Sequence, residues 1–186
     1  ALQPDQVSRV LDSFNATLRS PRRGYAVIRL AIDLGLRCIE INRLQLDDID
    51  WQHGTLTLRR TKSRRQDVLP LPVPTGKALE AYLRHERPLT SNRSVFVRSL
   101  APHDAPVSVD AIHRVIRDAF SRAGIPHGRA HALRHTLACR LVNSGGSIKE
   151  VADVLRHRSL NTSLIYAKTD RASLVEVALP WPGSPA

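Results

Sequence analysis

Ile49-Asp50-Trp51-Gln52-His53-Gly54-Thr55-Leu56-Thr57-Leu58 is the stretch that keeps this chain from reading as all-helical. Thr55-Leu56-Thr57-Leu58 alternates with the period of two that a half-buried strand requires. His53-Gly54 supplies a turn in front of it, which makes residues 49–51 a first short strand. Residues 61–66 form a basic turn, and residues 67–71 return as a third strand. Pro70, Pro72 and Pro74 lack amide donors, so they end that strand and place it at an edge.

On both sides of this region the pattern is helical. Pro4-Asp5 opens an amphipathic stretch with Val7, Val10, Leu11 and Phe14 at helical spacing, stopped by Pro21 at about Ser20. Residues 22–34 carry two apolar faces, one from Val27, Leu30, Ala31 and Leu34 and one from Tyr25, Ile28 and Ile32, as a central, buried helix does. Gly35 breaks it, and residues 36–44 restart as a short helix. Further helices are predicted over 75–85, 109–123, 130–143, 147–155, 161–167 and 170–178, and Pro180-Trp181-Pro182-Gly183-Ser184-Pro185 reads as irregular. Asn143-Ser144-Gly145-Gly146 offers a left-handed cap, and Ser147 with Glu150 a capping box for the helix that follows. The fold class is mainly α with a small antiparallel β-sheet, α+β.

Of the 186 residues, 42% are hydrophobic and 24% charged, enough apolar material for a sizeable core. The formal charge is +11, from 28 Lys+Arg against 17 Asp+Glu. Only Lys62, Lys77, Lys149 and Lys168 are lysines, so arginine dominates. A balance of this kind points to a polyanionic partner, nucleic acid first, and arginine adds bidentate phosphate binding. A biased genome composition gives the same ratio. Cys38 and Cys139 stand alone and far apart, which argues against a disulfide-stapled secreted domain. No apolar run approaches the roughly 18 residues a membrane span needs, and the start lacks the layout of a signal peptide. Methionine is absent, position 1 included, which reads as a piece cut from a longer chain.

Four clusters carry more chemistry than a structural domain needs: Gly35-Leu36-Arg37-Cys38-Ile39-Glu40; Thr61-Lys62-Ser63; His131-Ala132-Leu133-Arg134-His135; and Leu155-Arg156-His157, followed nine residues on by Tyr166. Each has a plain explanation taken alone. Arg37 pairs equally well with Glu40 or Asp33, Lys62 reads as a solvated turn cation, and His157 complements a helix C-terminus. Tyr166 reads as a core or rim aromatic. His131, Arg134 and His135 share one helical face, an unfavourable cationic triplet unless something anionic lies opposite. Together, two arginines, a lysine and two histidines can surround one phosphodiester with a tyrosine as nucleophile. Such a pocket favours the phenolate, of which free tyrosine carries only about one part in a thousand at pH 7.

This order and spacing resembles the tyrosine recombinases, or phage integrases, which include the Xer enzymes. Their pattern R…K…H-x-x-R…H/W…Y is similar to Arg37, Lys62, His131, Arg134, His157 and Tyr166 here. Gly35 to Glu40 resembles their G-L-R-x-x-E box, and the likeness covers roughly residues 2–177. Arg156 stands where the family usually has glycine. The resemblance implies the family's catalytic-domain fold over 1–179, an irregular tail over 180–186, and the absence from this chain of an N-terminal clamp domain. It implies that Arg37 and Arg134 clamp the scissile phosphate and Tyr166 attacks it. Lys62 protonates the leaving 5′-oxygen, His131 moves the tyrosine proton, and His157 donates to a non-bridging oxygen. The expected partner is double-stranded DNA, with a homotetramer on paired sites for the full-length protein, a fragment that is monomeric by itself, and a cytoplasmic, nucleoid-associated location without membrane contact. No cofactor and no metal is expected, since the arginines supply the positive charge. Arg59, Arg60, Arg64 and Arg65 around the hairpin are the predicted phosphate contacts, with a solvated charge run as the plain alternative. His135 is expected to support the site from behind, and His53, His85, His103, His113 and His127 to be structural or exposed. A type IB topoisomerase or telomere resolvase uses the same pocket. A non-catalytic helix-turn-helix module over 147–167 explains the charge but leaves Arg37, Lys62 and the His131/Arg134 pair as coincidences.

Overall fold

The computed structural model describes residues 1–59, 66–126, 128–145, 147, 149, 151 and 155. They fall into two compact units, residues 1–137 and 138–186. The first contains α1 (Pro4–Asp12), α2 (Pro21–Asp33), α3 (Cys38–Arg43), a 3₁₀ turn (Leu46–Asp48), β1 (Ile49–Asp50), β2 (Thr55–Arg59), β3 (Gln66–Pro70), α4 (Val73–His85) and α5 (Val109–Arg122). A sixth helix, α6 (Ala130–Asn143), begins in the first unit and ends in the second.

The two apolar faces of α2 make it the centre of the first unit. Ala26, Val27, Ile28, Leu30, Ala31 and Ile32 are all buried, and α4 and α5 both pack against the helix. At about 1.5–3 kcal/mol for each large apolar side chain removed from water, this one helix anchors the core. Leu79 and Tyr82 of α4, Ile112, Ile116 and Phe120 of α5, and Leu133 of α6 complete it. The small antiparallel sheet has the order β1-β2-β3. Ile49 faces Leu56, and Leu56 in turn faces Leu69, so the apolar members of the alternation lie on the core side. β3 is an edge strand, as its prolines require.

Besides shifts of one or two residues at other element ends, two departures from the sequence reading stand out. α1 stops at Asp12 instead of continuing toward Ser20. The Ser13 hydroxyl donates to the Val10 carbonyl at 2.8 Å, and Asn15 Oδ1 accepts from the Thr17 amide at 3.1 Å. Such local bonds compete with helix propagation. Phe14 then turns inward, edge-on to Tyr25 at 6.2 Å and beneath the Arg122 guanidinium at 5.0 Å. The second difference lies between α4 and α5, where no element was foreseen. Val95, Phe96 and Val97 are buried there, Gln45 bridges Ser94, and Val97 bridges Pro106. Arg87 holds this loop by donating to the carbonyls of Asn92, Ser94 and Val95 at 2.6, 2.9 and 3.1 Å.

In the second unit, Gly145 takes φ +90° just beyond α6, the left-handed cap foreseen there. The Val151 amide donates to Ser147 and the Leu155 amide to Val151, both at 3.0 Å, which are helical bonds. Glu150 of the predicted capping box, the predicted helices over 161–167 and 170–178, and the tail over 180–186 lie outside the described residues. Among the described residues no helix is long and apolar enough to cross a membrane.

Gly35 ends α2 with φ +58°, and the Leu36 amide folds back to the Leu30 carbonyl at 3.3 Å. A side chain there costs about 1–2 kcal/mol. Gly35→Ala is therefore expected to lower the melting temperature by roughly 2–4 °C for each kcal/mol lost, read by calorimetry.

Candidate active site

The turn at Gly35 positions two of the predicted site residues. Two residues beyond it, Arg37 is the N-cap of α3 with extended backbone, which directs the chain out of α2 and presents the arginine at the surface. Its amide donates to Glu40 Oε2 at 2.7 Å, and its guanidinium donates to Glu40 Oε1 at 2.9 Å. Of the two partners that sequence left open, Glu40 is thus the one used. Asp33 is engaged by Arg29 at 2.8 Å and by the Thr75 hydroxyl at 2.5 Å. The Arg37 side chain stays 43% exposed, so its remaining donors face solvent.

Arg134 reaches the same turn from the other side. It lies on α6, is only 5% exposed, and donates from Nη1 to the Gly35 carbonyl. Gly35 thus places one arginine two residues along the chain and receives the other through its carbonyl. His131 lies one turn before Arg134 on α6 and is exposed, so a cation and a titratable imidazole share this face. His135 is half-buried. Burial first, and then the neighbouring His131, hold its pKa below the ordinary histidine range, so it is neutral at pH 7. Thr136 accepts the Leu2 amide at 2.8 Å, which fixes the start of α1 to this segment.

Lys62, His157 and Tyr166 lie outside the described residues, as do Arg60, Arg64, Arg65 and Arg156. Arg59 is described at the end of β2, and its Nε donates to Asp48 Oδ1 at 2.6 Å. Asp48 is 3% exposed, and its other oxygen accepts the Gln45 amide at 2.8 Å. Arg59 therefore has a structural task that the hairpin pattern did not reveal, namely neutralising a buried carboxylate, while the rest of its side chain remains exposed.

His113, expected to be structural or exposed, is exposed, and its Nδ1 lies within 3.5 Å of Cys38 Sγ, beside Arg37. Burial pushes the Cys38 thiol upward, which keeps it protonated and unreactive. The contact ties α5 to the first residue of α3. His53 pairs with Asp50 at 2.7 Å, and the His53 amide and ring hold that carboxyl below its usual range. Among the described residues no group of three or more His, Cys, Asp or Glu side chains is placed to hold a metal ion.

Glu40 holds Arg37 without facing solvent as freely, and this makes it a positioning residue. Glu40→Gln keeps an acceptor for the Arg37 amide but removes the charge that fixes the guanidinium. On the expectation of DNA strand cleavage drawn from the sequence, Glu40→Gln slows cleavage ten- to hundredfold at saturating duplex, with duplex affinity unchanged or raised. A purely structural role would lower the melting temperature and leave the saturated rate alone.

Residues 1–172 match the Phage integrase family. The putative integrase/recombinase y4rF of Sinorhizobium fredii is 40% identical over 183 residues, covering 97% of this chain and 43% of that protein. The putative integrase/recombinase y4gC of the same organism is 34% identical, covering 98% of this chain and 96% of that protein. The crystal structure of XerA recombinase superposes with a TM-score of 0.79 at 26% identity, covering 97% of this chain and 65% of that one. The chain therefore spans less than half of one curated relative and nearly all of another.

Proposed function

Because this chain belongs to the phage integrase family, we propose that residues 1–179 form the catalytic domain of a site-specific DNA recombinase. The observation that carries this reading is the convergence at Gly35. A solvent-facing Arg37 and a buried Arg134 are fixed to one glycine turn, with His131 one helical turn from the second arginine. A rigid pair of guanidiniums is suited to a phosphodiester, whose non-bridging oxygens gain charge in the transition state. The +11 charge supports a duplex DNA partner.

In the proposed reaction the Tyr166 oxygen attacks phosphorus and the bond to the 5′-oxygen breaks. The product is a 3′-phosphotyrosyl link with a free 5′-hydroxyl. Lys62 supplies the proton to that hydroxyl, His131 accepts the phenolic proton, and His157 donates to a non-bridging oxygen. One phosphodiester replaces another, so the second strand end can reverse the step without ATP. Arg60, Arg64 and Arg65, with the exposed part of Arg59, are proposed to hold the backbone near the hairpin. The proposed working assembly is a homotetramer on two paired sites, located with the chromosomal DNA.

A nicked suicide duplex tests this directly, because the short 5′-hydroxyl strand diffuses away and traps the covalent complex. A denaturation-resistant protein–DNA adduct is expected from this chain. DNA binding with no adduct would replace the proposal with a non-catalytic binding module. Strand exchange between paired sites, as opposed to relaxation of any supercoiled plasmid, separates a recombinase from a topoisomerase.

A further inference from the structure

The described residues hold a second cationic site, a cleft of about 510 Å³ between the last turns of α5 and the entrance to α6. Arg117, Ser121 and Arg129 line it together with the apolar Phe120, Ile125 and Pro126. Most exposed arginines with an acidic neighbour use it: Arg9 pairs with Asp5, Arg84 with Glu80 and Arg93 with Asp47. Arg117 and Arg129 pair with no carboxylate among the described residues, and no carboxylate lines the cleft. Two cationic side chains that line one cleft without a counter-charge repel each other, and an anion between them relieves that cost.

The cleft is built by the chain path. Gly124 leaves α5 with φ +68°, the Ile125 amide closes onto the Phe120 carbonyl at 2.9 Å, and the Ala132 amide closes onto Arg129 at 2.9 Å. Gly128 passes so close over the Phe120 ring that a side chain at that position would overlap it. A larger residue would lift Arg129 away from Arg117. The cleft shares α5 with the first site: Arg117 lies four residues, one helical turn, beyond His113, whose ring meets Cys38 beside Arg37.

We infer that Arg117 and Arg129 bind a backbone phosphate of the same DNA strand whose neighbouring phosphate is engaged at Arg37 and Arg134. This inference rests on the proposed DNA function, but it concerns affinity and not chemistry. Ser121 adds a hydroxyl donor, and the apolar lining accommodates the sugar edge beside the phosphate. The contact is independent of base identity, because only backbone atoms meet the cleft.

The test is duplex affinity measured between 50 and 200 mM salt for the wild type, for Arg117→Gln/Arg129→Gln, and for Arg84→Gln/Arg93→Gln as a control that removes the same two charges from the surface elsewhere. One phosphate contact contributes about 0.9 to the slope of log K against log salt. The double variant is expected to lose about one unit of slope, to the same extent on unrelated duplex sequences, with its melting temperature unchanged. The control variant is expected to keep the wild-type slope. Gly128→Ala keeps every charge but displaces Arg129, and is expected to lose the same unit. An unchanged slope in the double variant overturns the inference, and so does an equal loss in the control. A thermal shift with 10 mM inorganic phosphate that depends on both arginines, found together with an unchanged duplex slope, would assign the cleft to a free anion and overturn the DNA assignment. Absence of a covalent adduct in the suicide assay would remove the recombinase reading and leave this slope test standing, so the two failures are distinguishable.

Discussion

Tyr166→Phe is expected to abolish the covalent protein–DNA adduct completely while leaving duplex affinity within about twofold of wild type. The substitution removes one hydroxyl and nothing else, so an effect on the adduct alone isolates nucleophilic chemistry from binding. An unassisted phenol is a poor nucleophile at pH 7. With a pKa near 10, its ionised fraction is about one in a thousand, equivalent to roughly 4 kcal/mol of barrier. The proposed site offsets this with the positive charge of Arg37 and Arg134 and with a base at His131. Trapping on a nicked duplex, resolved on a denaturing gel, gives the reading. Adduct formation by Tyr166→Phe at the wild-type level would transfer the nucleophile to another residue and remove the mechanism. A parallel loss of adduct and of DNA affinity would instead make Tyr166 a packing residue.

Much of the scaffold was legible because it follows from local rules. The double apolar face of α2 is visible in residues 25–34, and it is buried as that pattern demands. The alternation Thr55-Leu56-Thr57-Leu58 fixed which face of β2 meets the core, and three prolines fixed the edge. Gly35 was legible as a break. Its second role, as acceptor for a buried Arg134 some hundred residues away, was not, because no local rule connects the two positions. The same limit explains Arg59. Its neighbours in sequence are cations, which suggested a phosphate-binding run, and its partner Asp48 comes from the turn ahead of the sheet. Short α1 was misjudged because Ser13 and Asn15 end the helix through side-chain bonds that a hydrophobic period does not register. The cleft between Arg117 and Arg129 depends on Gly128 lying against Phe120, a contact that appears only when α5 and α6 are placed.

Arg134→Lys is the variant in which fold and chemistry are lost together, and their separation is measurable. Lysine keeps the charge but not the planar fork, so it cannot donate to the Gly35 carbonyl and also present parallel donors to a phosphate. Two consequences are expected. The unpaired carbonyl and poorly hydrated ammonium cost about 1–3 kcal/mol, which lowers the melting temperature by several degrees. Loss of a fixed donor at the developing charge slows cleavage by roughly 10² to 10³-fold at saturating duplex. Arg37 provides the comparison. Its guanidinium is held by Glu40 at the surface, where ion pairs contribute little to stability. Arg37→Lys is therefore expected to slow cleavage to a similar degree with almost no change in melting temperature. If Arg134→Lys cleaves at the wild-type rate, the buried guanidinium serves the Gly35 turn alone and the phosphate is held by other residues. If both variants slow cleavage and only Arg134→Lys melts early, the glycine turn is what couples the core of α2 to the reacting phosphate.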